Sequence, residues 1–349
     1  MNPCDPEKLP KYSRQTLFAP IGLQGQTKLA QAKAAVVGVG ALGTALANYL
    51  VRAGVGYVRL IDRDVVEESN LNRQLLFGED DASCSRPKAE AAAHALRRVN
   101  SAVQIEPVTE DLHAFNAARL LADMDIILDG TDNFSTRYLL NDVSLKFGIP
   151  WVYGGAVGAR SVSISFVPRS TPCFRCLYPA MPGNGVLETC DTAGVIGPAA
   201  GLTASVQAAE ALKILVGDSK RLRPSLIFID LWSNEFRHID VSGAKRKDCP
   251  ACAEKNYEFL DAQAKSDLFQ RLCGRNAVQV FPAGAVRLDL KSWADRLAHT
   301  GKVKLQRYMA QLQTDDGLRL LLFSDGRAIV EGTEDIEQAR AIYRKYVGT

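Results

Sequence analysis

Ala35-Val36-Val37-Gly38-Val39-Gly40-Ala41-Leu42-Gly43 is the stretch whose reading decides the fold, with Val58-Arg59-Leu60-Ile61-Asp62 following it. An apolar run entering Gly38-x-Gly40-x-x-Gly43 predicts a strand, a tight turn and the start of a helix. The glycines let the backbone turn sharply and approach a phosphate, and the helix N-terminus favours anions. Asp62 ends the second strand, where a carboxylate can reach ribose hydroxyls. Alone, this pattern points mostly to NAD(P) or FAD. The residues just beyond it change that balance: Asp64, then the dense polar run Ser69-Asn70-Leu71-Asn72-Arg73-Gln74.

Arg73 offers a fork of donors that matches phosphate oxygens. Lys88 adds a point charge, and Asp132 stands beyond another apolar strand in Asp129-Gly130-Thr131-Asp132-Asn133. Ligands of doubly wound sheets lie outside the carboxyl ends of the strands, so Asp62 and Asp132 are expected at one crevice. Two cations and a strand-end carboxylate suit a magnesium–nucleoside triphosphate better than a dinucleotide. Two alternatives stand beside this reading. Arg73 and Lys88 can be ordinary solvated side chains, and the glycine motif with Asp62 alone would serve an NAD-dependent oxidoreductase.

The organisation around the motif is that of an α/β protein. Strands are expected near 35–38, 57–62, 103–108 and 125–129, with helices near 41–53, 87–99, 113–122 and 134–147. That alternation predicts a doubly wound, mostly parallel, Rossmann-like sheet. Val162-Ser163-Ile164-Ser165-Phe166-Val167 alternates with period two, and Ser225 to Leu231 reads as another strand, so the sheet should continue into antiparallel strands. A long helix is expected over 199–216. Three segments result: an N-terminal arm and helix (1–33), the main domain (34–255), and a small C-terminal α/β domain (256–349). In the last, Asp325-Gly326 signals a hairpin turn and Thr333 is expected to cap the final helix.

Composition excludes several classes. With 349 residues, 42 basic and 39 acidic, the net charge is only +3, and no Lys/Arg block marks a nucleic-acid partner. The N-terminus lacks an apolar signal core, and Gln207, Glu210 and Lys213 interrupt the most apolar segment, which argues against a membrane span. A cytoplasmic protein is expected.

Of the eight cysteines, four form two pairs, Cys173-Phe-Arg-Cys176 and Cys249-Pro-Ala-Cys252. Two such knuckles supply four thiolates to a tetrahedral structural zinc. The alternative is two unrelated or redox pairs, but a thioredoxin-like context is missing. Cys190 follows a glycine-rich segment and precedes Asp191-Thr192-Ala193-Gly194. It is either a reactive loop thiol or a packed small side chain. Cys4, Cys84 and Cys273 carry no partner signature.

These motifs, in this order, resemble the ThiF/MoeB adenylyltransferases, relatives of the ubiquitin-activating enzymes. The matching stretches are Tyr12-Ser13-Arg14-Gln15, the glycine loop, Asp62-x-Asp64, Ser69 to Gln74 and Pro87-Lys88. They continue through Thr131-Asp132-Asn133, both cysteine pairs and Cys190-Asp-Thr-Ala-Gly. The tail beyond 255 resembles an extra domain on Bacillus-type members. Ala41 stands where relatives often have a second glycine, and the loop before Pro87 is two residues longer than in the molybdopterin type.

The resemblance implies ATP- and Mg2+-dependent adenylation of a small ubiquitin-like sulfur-carrier protein ending in Gly-Gly. A ThiS-like carrier for thiamine thiazole synthesis is favoured. A MoaD-like carrier for molybdopterin, or a peptide substrate, is the alternative. It implies a nucleotide site of Gly38, Gly40, Ala41, Gly43, Asp62, Asp64, Ser69, Asn70, Arg73, Gln74, Lys88, Asp132 and Asn133. Arg14 would enter from the neighbouring subunit of a homodimer, Cys190 would handle sulfur after adenylation, and a cysteine desulfurase is a possible further partner.

Overall fold

In the computed structural model the apolar run forms β1 (Lys33–Val37), preceded by α1 (Ser13–Thr16) and α2 (Gly22–Gln31). The structure describes residues 10–181, 190–261, 268–272, 276–282, 288–305, 309–314 and 317–348. After β1 the chain alternates: α3 (Ala41–Ala53), β2 (Tyr57–Ile61), α4 (Glu79–Ser83), α5 (Lys88–Arg97), β3 (Gln104–Val108), α6 (Ala114–Leu121), β4 (Ile126–Asp129), α7 (Phe134–Phe147). It continues through β5 (Trp151–Val157), β6 (Arg160–Phe166), α8 (Phe174–Leu177), α9 (Cys190–Ala193), α10 (Gly197–Val216), β7 (Ser225–Asp230) and β8 (Glu235–Asp240).

These strands make one eight-stranded sheet in the order β3-β2-β1-β4-β5-β6-β7-β8. The first five are parallel, and β6 to β8 are antiparallel, as the alternation at 162–167 predicts. Strand order reverses between β1 and β4, so their carboxyl ends splay apart into the crevice where ligands bind. Side chains of β1 divide between two cores. Ala34 and Val36 face α3, α5 and α10, while Ala35 and Val37 face α6 and α7. Burial on both faces explains the unbroken apolar run.

Helix α10 is, among the described residues, long and apolar enough to cross a membrane, but half of that apolar window is buried within the fold. Ala200, Ala204, Ala208 and Ala211 line one stripe of it against the sheet and α3. Small side chains at that spacing allow a close approach of helix to sheet.

A second compact unit lies within residues 268–348. It contains β9 (Leu268–Leu272), β10 (Ala277–Phe281), α11 (Leu290–Leu297), β11 (Lys302–Leu305), β12 (Met309–Gln313), β13 (Arg319–Phe323), β14 (Ala328–Glu331) and α12 (Ile336–Tyr346). The strands form an antiparallel sheet ordered β11-β12-β13-β14-β10-β9, with Leu312, Leu320, Leu322 and Val330 packed against α11 and α12. Asp325-Gly326 makes the β13–β14 turn as expected, with Gly326 N–H donating to Phe323 O. The cap of α12 differs from the expectation. Asp335, not Thr333, accepts the Glu337 and Gln338 amides. Thr333 Oγ1 instead accepts Asp335 N–H, so it supports the capping residue from two positions back.

Candidate functional site

Three glycines build the crevice. Gly38 has φ of +82°, and a β-carbon there would lie 2.7 Å from Gly130 O. One on Gly43 would lie 1.9 Å from Gly38 O, and one on Gly130 2.5 Å from the same oxygen. The β1–α3 turn is therefore pressed directly onto the β4–α7 turn. Gly40 is different: its nearest neighbour would be Gln74 Nε2 at 3.8 Å, and its φ is an ordinary −86°. Protein packing does not require glycine there; the missing side chain leaves crevice space open. Ala41 opens α3, whose N-terminus has no side-chain cap. Uncapped N–H groups at a helix N-terminus are anion donors.

Asp62 ends β2 and clamps the same turn. One carboxylate oxygen accepts Val39 N–H at 2.6 Å and the other accepts Asp64 N–H at 2.7 Å. Burial pushes its carboxyl above the ordinary range, against the pull of Lys88. Lys88 is itself buried, with Nζ 3.3 Å from Asp64 Oδ2 and its amide on Asp64 O. Burial works against its ammonium, yet Asp64 and Asp62 outweigh that and hold its pKa above the usual value. The solvated-surface reading thus fails for Lys88. Its charge also feels Asp132, so β2, the start of α5 and the β4–α7 turn meet electrostatically.

The polar run divides into several jobs. Asn70 is buried and holds its own turn: Oδ1 accepts Glu67 N–H at 3.3 Å and Nδ2 reaches Ser69 Oγ at 3.4 Å. Arg73 is half-buried and folded back, with Nη1 on Ser69 O and Asn72 Oδ1. Gln74 is buried beside Gly40, and its Oε1 has no hydrogen-bond partner among the described residues. The Gln74 atom nearest to a β-carbon built on Gly40 is Nε2, and its buried, unpartnered Oε1 is an acceptor that a bound polar group would satisfy.

Asp132 is exposed and has no hydrogen bond or ion pair among the described residues. Asn133, expected in the nucleotide site, uses its Oδ1 to cap α7 by accepting Thr136 N–H and Ser135 O–H at 2.9 Å. Arg14 is exposed on α1, without a hydrogen bond or ion pair among the described residues, and is not brought into the crevice cluster of its own chain. Its neighbours are anchored: Tyr12 is buried under Asn100, and Gln15 holds Ala53 O at 2.9 Å. Cys190 is the first residue of α9; its side chain and the glycine-rich segment before it lie outside the described residues, as do Cys4 and Cys273.

The two cysteine pairs converge. The Cys173–Cys176 sulfurs are 3.8 Å apart, Cys173–Cys249 3.6 Å and Cys176–Cys252 3.6 Å. Four sulfurs on a tetrahedron of about 2.3 Å metal–sulfur bonds stand about 3.8 Å apart, whereas a disulfide brings two to about 2.05 Å. Burial and the neighbouring sulfurs push the Cys173 thiol up, so four thiolates would coexist here only around a cation. The donor set fits a structural divalent metal. The residues that hold the cluster to the fold are on α7. Asn141 Oδ1 accepts Phe174 N–H and Asp142 Oδ2 accepts Phe259 N–H.

Sequence reasoning missed several polar residues at this site. Arg63 pairs with Asp111 at 3.0 Å and with Asp64 at 3.6 Å, threading a cation through the acids of the crevice. Arg137 and Asp129 form a buried ion pair beneath Asp132. A charged residue at the end of an apolar strand and an arginine eight positions on could have signalled that pair. Gln207 on α10 donates to Asp129 O and Val152 O.

Comparison with known proteins places this geometry in context. The ThiF family model matches residues 12–251. The chain is 45% identical over 341 residues, 97% of its length and 99% of the relative's, to the sulfur carrier protein ThiS adenylyltransferase of Bacillus subtilis. It is 37% identical over 257 residues, 74% of its length and 93% of the relative's, to the SAMP-activating enzyme E1 of Haloferax volcanii. Among solved structures, E. coli MccB with ATP superposes with a TM-score of 0.61 at 23% identity, covering 70% of this chain and 75% of that one, a likeness of fold.

Proposed function

The chain belongs to the ThiF family, and from that premise we propose that it uses ATP to adenylate the C-terminal Gly-Gly carboxylate of a small ubiquitin-like sulfur-carrier protein. A ThiS-like carrier, in thiamine thiazole formation, is the reading we favour. It is supported by the 45% identity to ThiS adenylyltransferase, which extends over 97% of this chain. A MoaD-like carrier is the alternative, and the SAMP-activating enzyme E1 among the relatives is one whose name gives a target other than ThiS. An oxidoreductase would leave the buried Lys88–Asp64 pair and the exposed Asp132 without a task.

The observation that carries the nucleotide assignment is Gly40, where open space meets the uncapped N-terminus of α3 and nothing nearer than Gln74 Nε2, at 3.8 Å, would touch a side chain. A triphosphate placed there meets backbone amides of Gly40, Ala41 and Gly43. Asp62 retains lone pairs for ribose hydroxyls after accepting two amides. A carrier carboxylate is already an anion at neutral pH, so no general base is required. Its oxygen attacks the α-phosphorus, the bond to the bridging oxygen of the β-phosphate breaks, and pyrophosphate leaves. Catalysis then rests on positioning and on stabilising charge at phosphate oxygens. Lys88 and Arg73 supply that charge; Arg73 must leave Ser69 O and Asn72 to do so. Asp132 would hold Mg2+, which when bound neutralises phosphate charge. Asp64, Ser69, Asn70 and Asn133 act mainly by holding these groups in place.

Cys173, Cys176, Cys249 and Cys252 would hold Zn2+, with four protein ligands and so no open catalytic position. We further propose a cytoplasmic homodimer in which Arg14, exposed on an anchored segment, completes the partner's site. The exposed Leu17 and Phe18 beside it support a contact of that kind. Cys190 would act after adenylation in sulfur transfer, with a cysteine desulfurase as donor. The deciding experiment is ATP–pyrophosphate exchange with purified ThiS-like and MoaD-like carriers. Exchange with ThiS-like carriers alone is expected, and no exchange with any Gly-Gly carrier would overturn the proposal.

A further inference from the structure

Asp132 projects from the turn Gly130-Thr131-Asp132, and the residues just before it are hydrogen-bonded from below. Thr131 donates twice to Asp129 Oδ1, from its amide at 2.9 Å and its hydroxyl at 2.6 Å. Gly130 N–H donates to Val37 O at 2.8 Å. The Thr131 carbonyl lies in the peptide plane that leads into Asp132 and so sets its direction. Arg137 Nη2 donates to that oxygen at 2.7 Å and to Gly154 O on β5 at 3.3 Å, while its Nε lies 3.1 Å from Asp129 Oδ2.

Arg137 is only 6% exposed, and Asp129 is fully buried. Burying a charged pair costs several kcal/mol per ion unless geometry and hydrogen bonding are good, and a well-packed apolar pair is often as stable. The guanidinium also sits over two rings, 5.3 Å from the centre of Phe134 and 5.0 Å from that of Tyr153. Stacked between rings and forked across three acceptors, it has one orientation. A lysine could supply the charge but not that fork. Such a device is costly as core filling and well suited to fixing one peptide plane.

We infer that Arg137 is a positioning residue for the nucleotide site: by holding the Thr131 carbonyl it fixes Asp132 where the cation of the ATP complex binds. This rests on the adenylation reading. Outer residues that orient a metal-binding carboxylate typically affect metal affinity about 10- to 100-fold when changed.

Isothermal titration of ATP, with and without Mg2+, tests this on the full chain. The wild type should bind ATP more tightly with Mg2+, and Asp132→Asn should lose that gain. Arg137→Lys should bind Mg2+-free ATP as the wild type does yet lose most of the Mg2+ gain, about tenfold or more. Thr131→Val, which keeps the shape but removes the hydroxyl bond to Asp129, should lose part of it and serves if Arg137→Lys does not fold. If the wild type binds no ATP, the adenylation reading itself fails. If the wild type and not Asp132→Asn shows the gain, but Arg137→Lys and Thr131→Val retain it with only a lowered melting temperature, Arg137 is structural and the inference is overturned.

Discussion

The Asn141 carboxamide accepts the backbone amide of Phe174 at 2.9 Å, and Phe174 stands between the first two cysteines of the sulfur cluster. Because α7 carries Asn133 at its first turn and Asn141 two turns on, one rigid helix joins the Asp132 turn to the cluster. Tyr138 on the same helix stacks on Phe259 at 4.8 Å and donates to Tyr178 O. The cluster therefore braces the helix on which the candidate site is built.

Cys249→Ser should lose zinc and fold together. Metal analysis of the wild type is expected to give close to one equivalent per chain, and a structural zinc contributes about 10–16 kcal/mol of apparent binding in small domains. A zinc-free protein, or a disulfide between these cysteines, would refute the assignment. Asn141→Ala should keep zinc but lose it to a chelator faster than the wild type.

Gly43→Ala and Gly40→Ala should separate structure from binding. The first places a methyl 1.9 Å from a backbone oxygen, so it should cost more than about 3 kcal/mol in denaturant unfolding, above the usual overpacking penalty. The second meets nothing closer than 3.8 Å and should change stability by less than about 1 kcal/mol while weakening ATP binding. Equal ATP affinity in Gly40→Ala and the wild type would remove the nucleotide from this crevice.

Asp132→Asn should abolish carrier-dependent pyrophosphate exchange with an unchanged circular dichroism spectrum. Lys88→Ala and Arg73→Ala should each lower the exchange rate by about 10²- to 10³-fold, the range for a transition-state charge contact. Wild-type rates in all three would show that the phosphates lie elsewhere.

Burial raises the Asp142 carboxyl to about 6, from an ordinary 3.8. A carboxyl with a raised native pKa binds its proton more tightly folded than unfolded. Its contribution is then fully present below about pH 4 and is lost as pH rises through about 6. The span is on the order of 3 kcal/mol. Asp142→Asn should erase this component. The stability of the wild type minus that of the variant, measured by urea unfolding, should fall between about pH 4 and 6 and level off above that, and a flat difference would contradict the assignment.

Mixing Arg14→Ala subunits with Asp132→Asn subunits should restore activity, since a hybrid dimer would hold one intact composite site. No recovery after demonstrated subunit exchange would place Arg14 in its own subunit's site.

Local pattern alone determined a good deal here. The apolar run into three spaced glycines dictated strand, turn and helix, because only glycine tolerates the 1.9 and 2.7 Å approaches at positions 43 and 38. The four cysteines announced their cluster because thiolates at that spacing have few other uses. Alternation at 162–167 and Asp325-Gly326 likewise carry their structure in side-chain period and turn chemistry. What only the tertiary structure decided is which polar side chains remain free. Asn133 and Asn70 look like ligands in sequence but spend their carbonyls on a helix cap and a tight turn. Arg137 and Asp129, eight positions apart in sequence, meet across the β4–α7 turn and hold it. The reason is physical: a hydrogen-bonding group has a limited number of partners, and only the folded chain settles whether neighbours far along the sequence have already taken them.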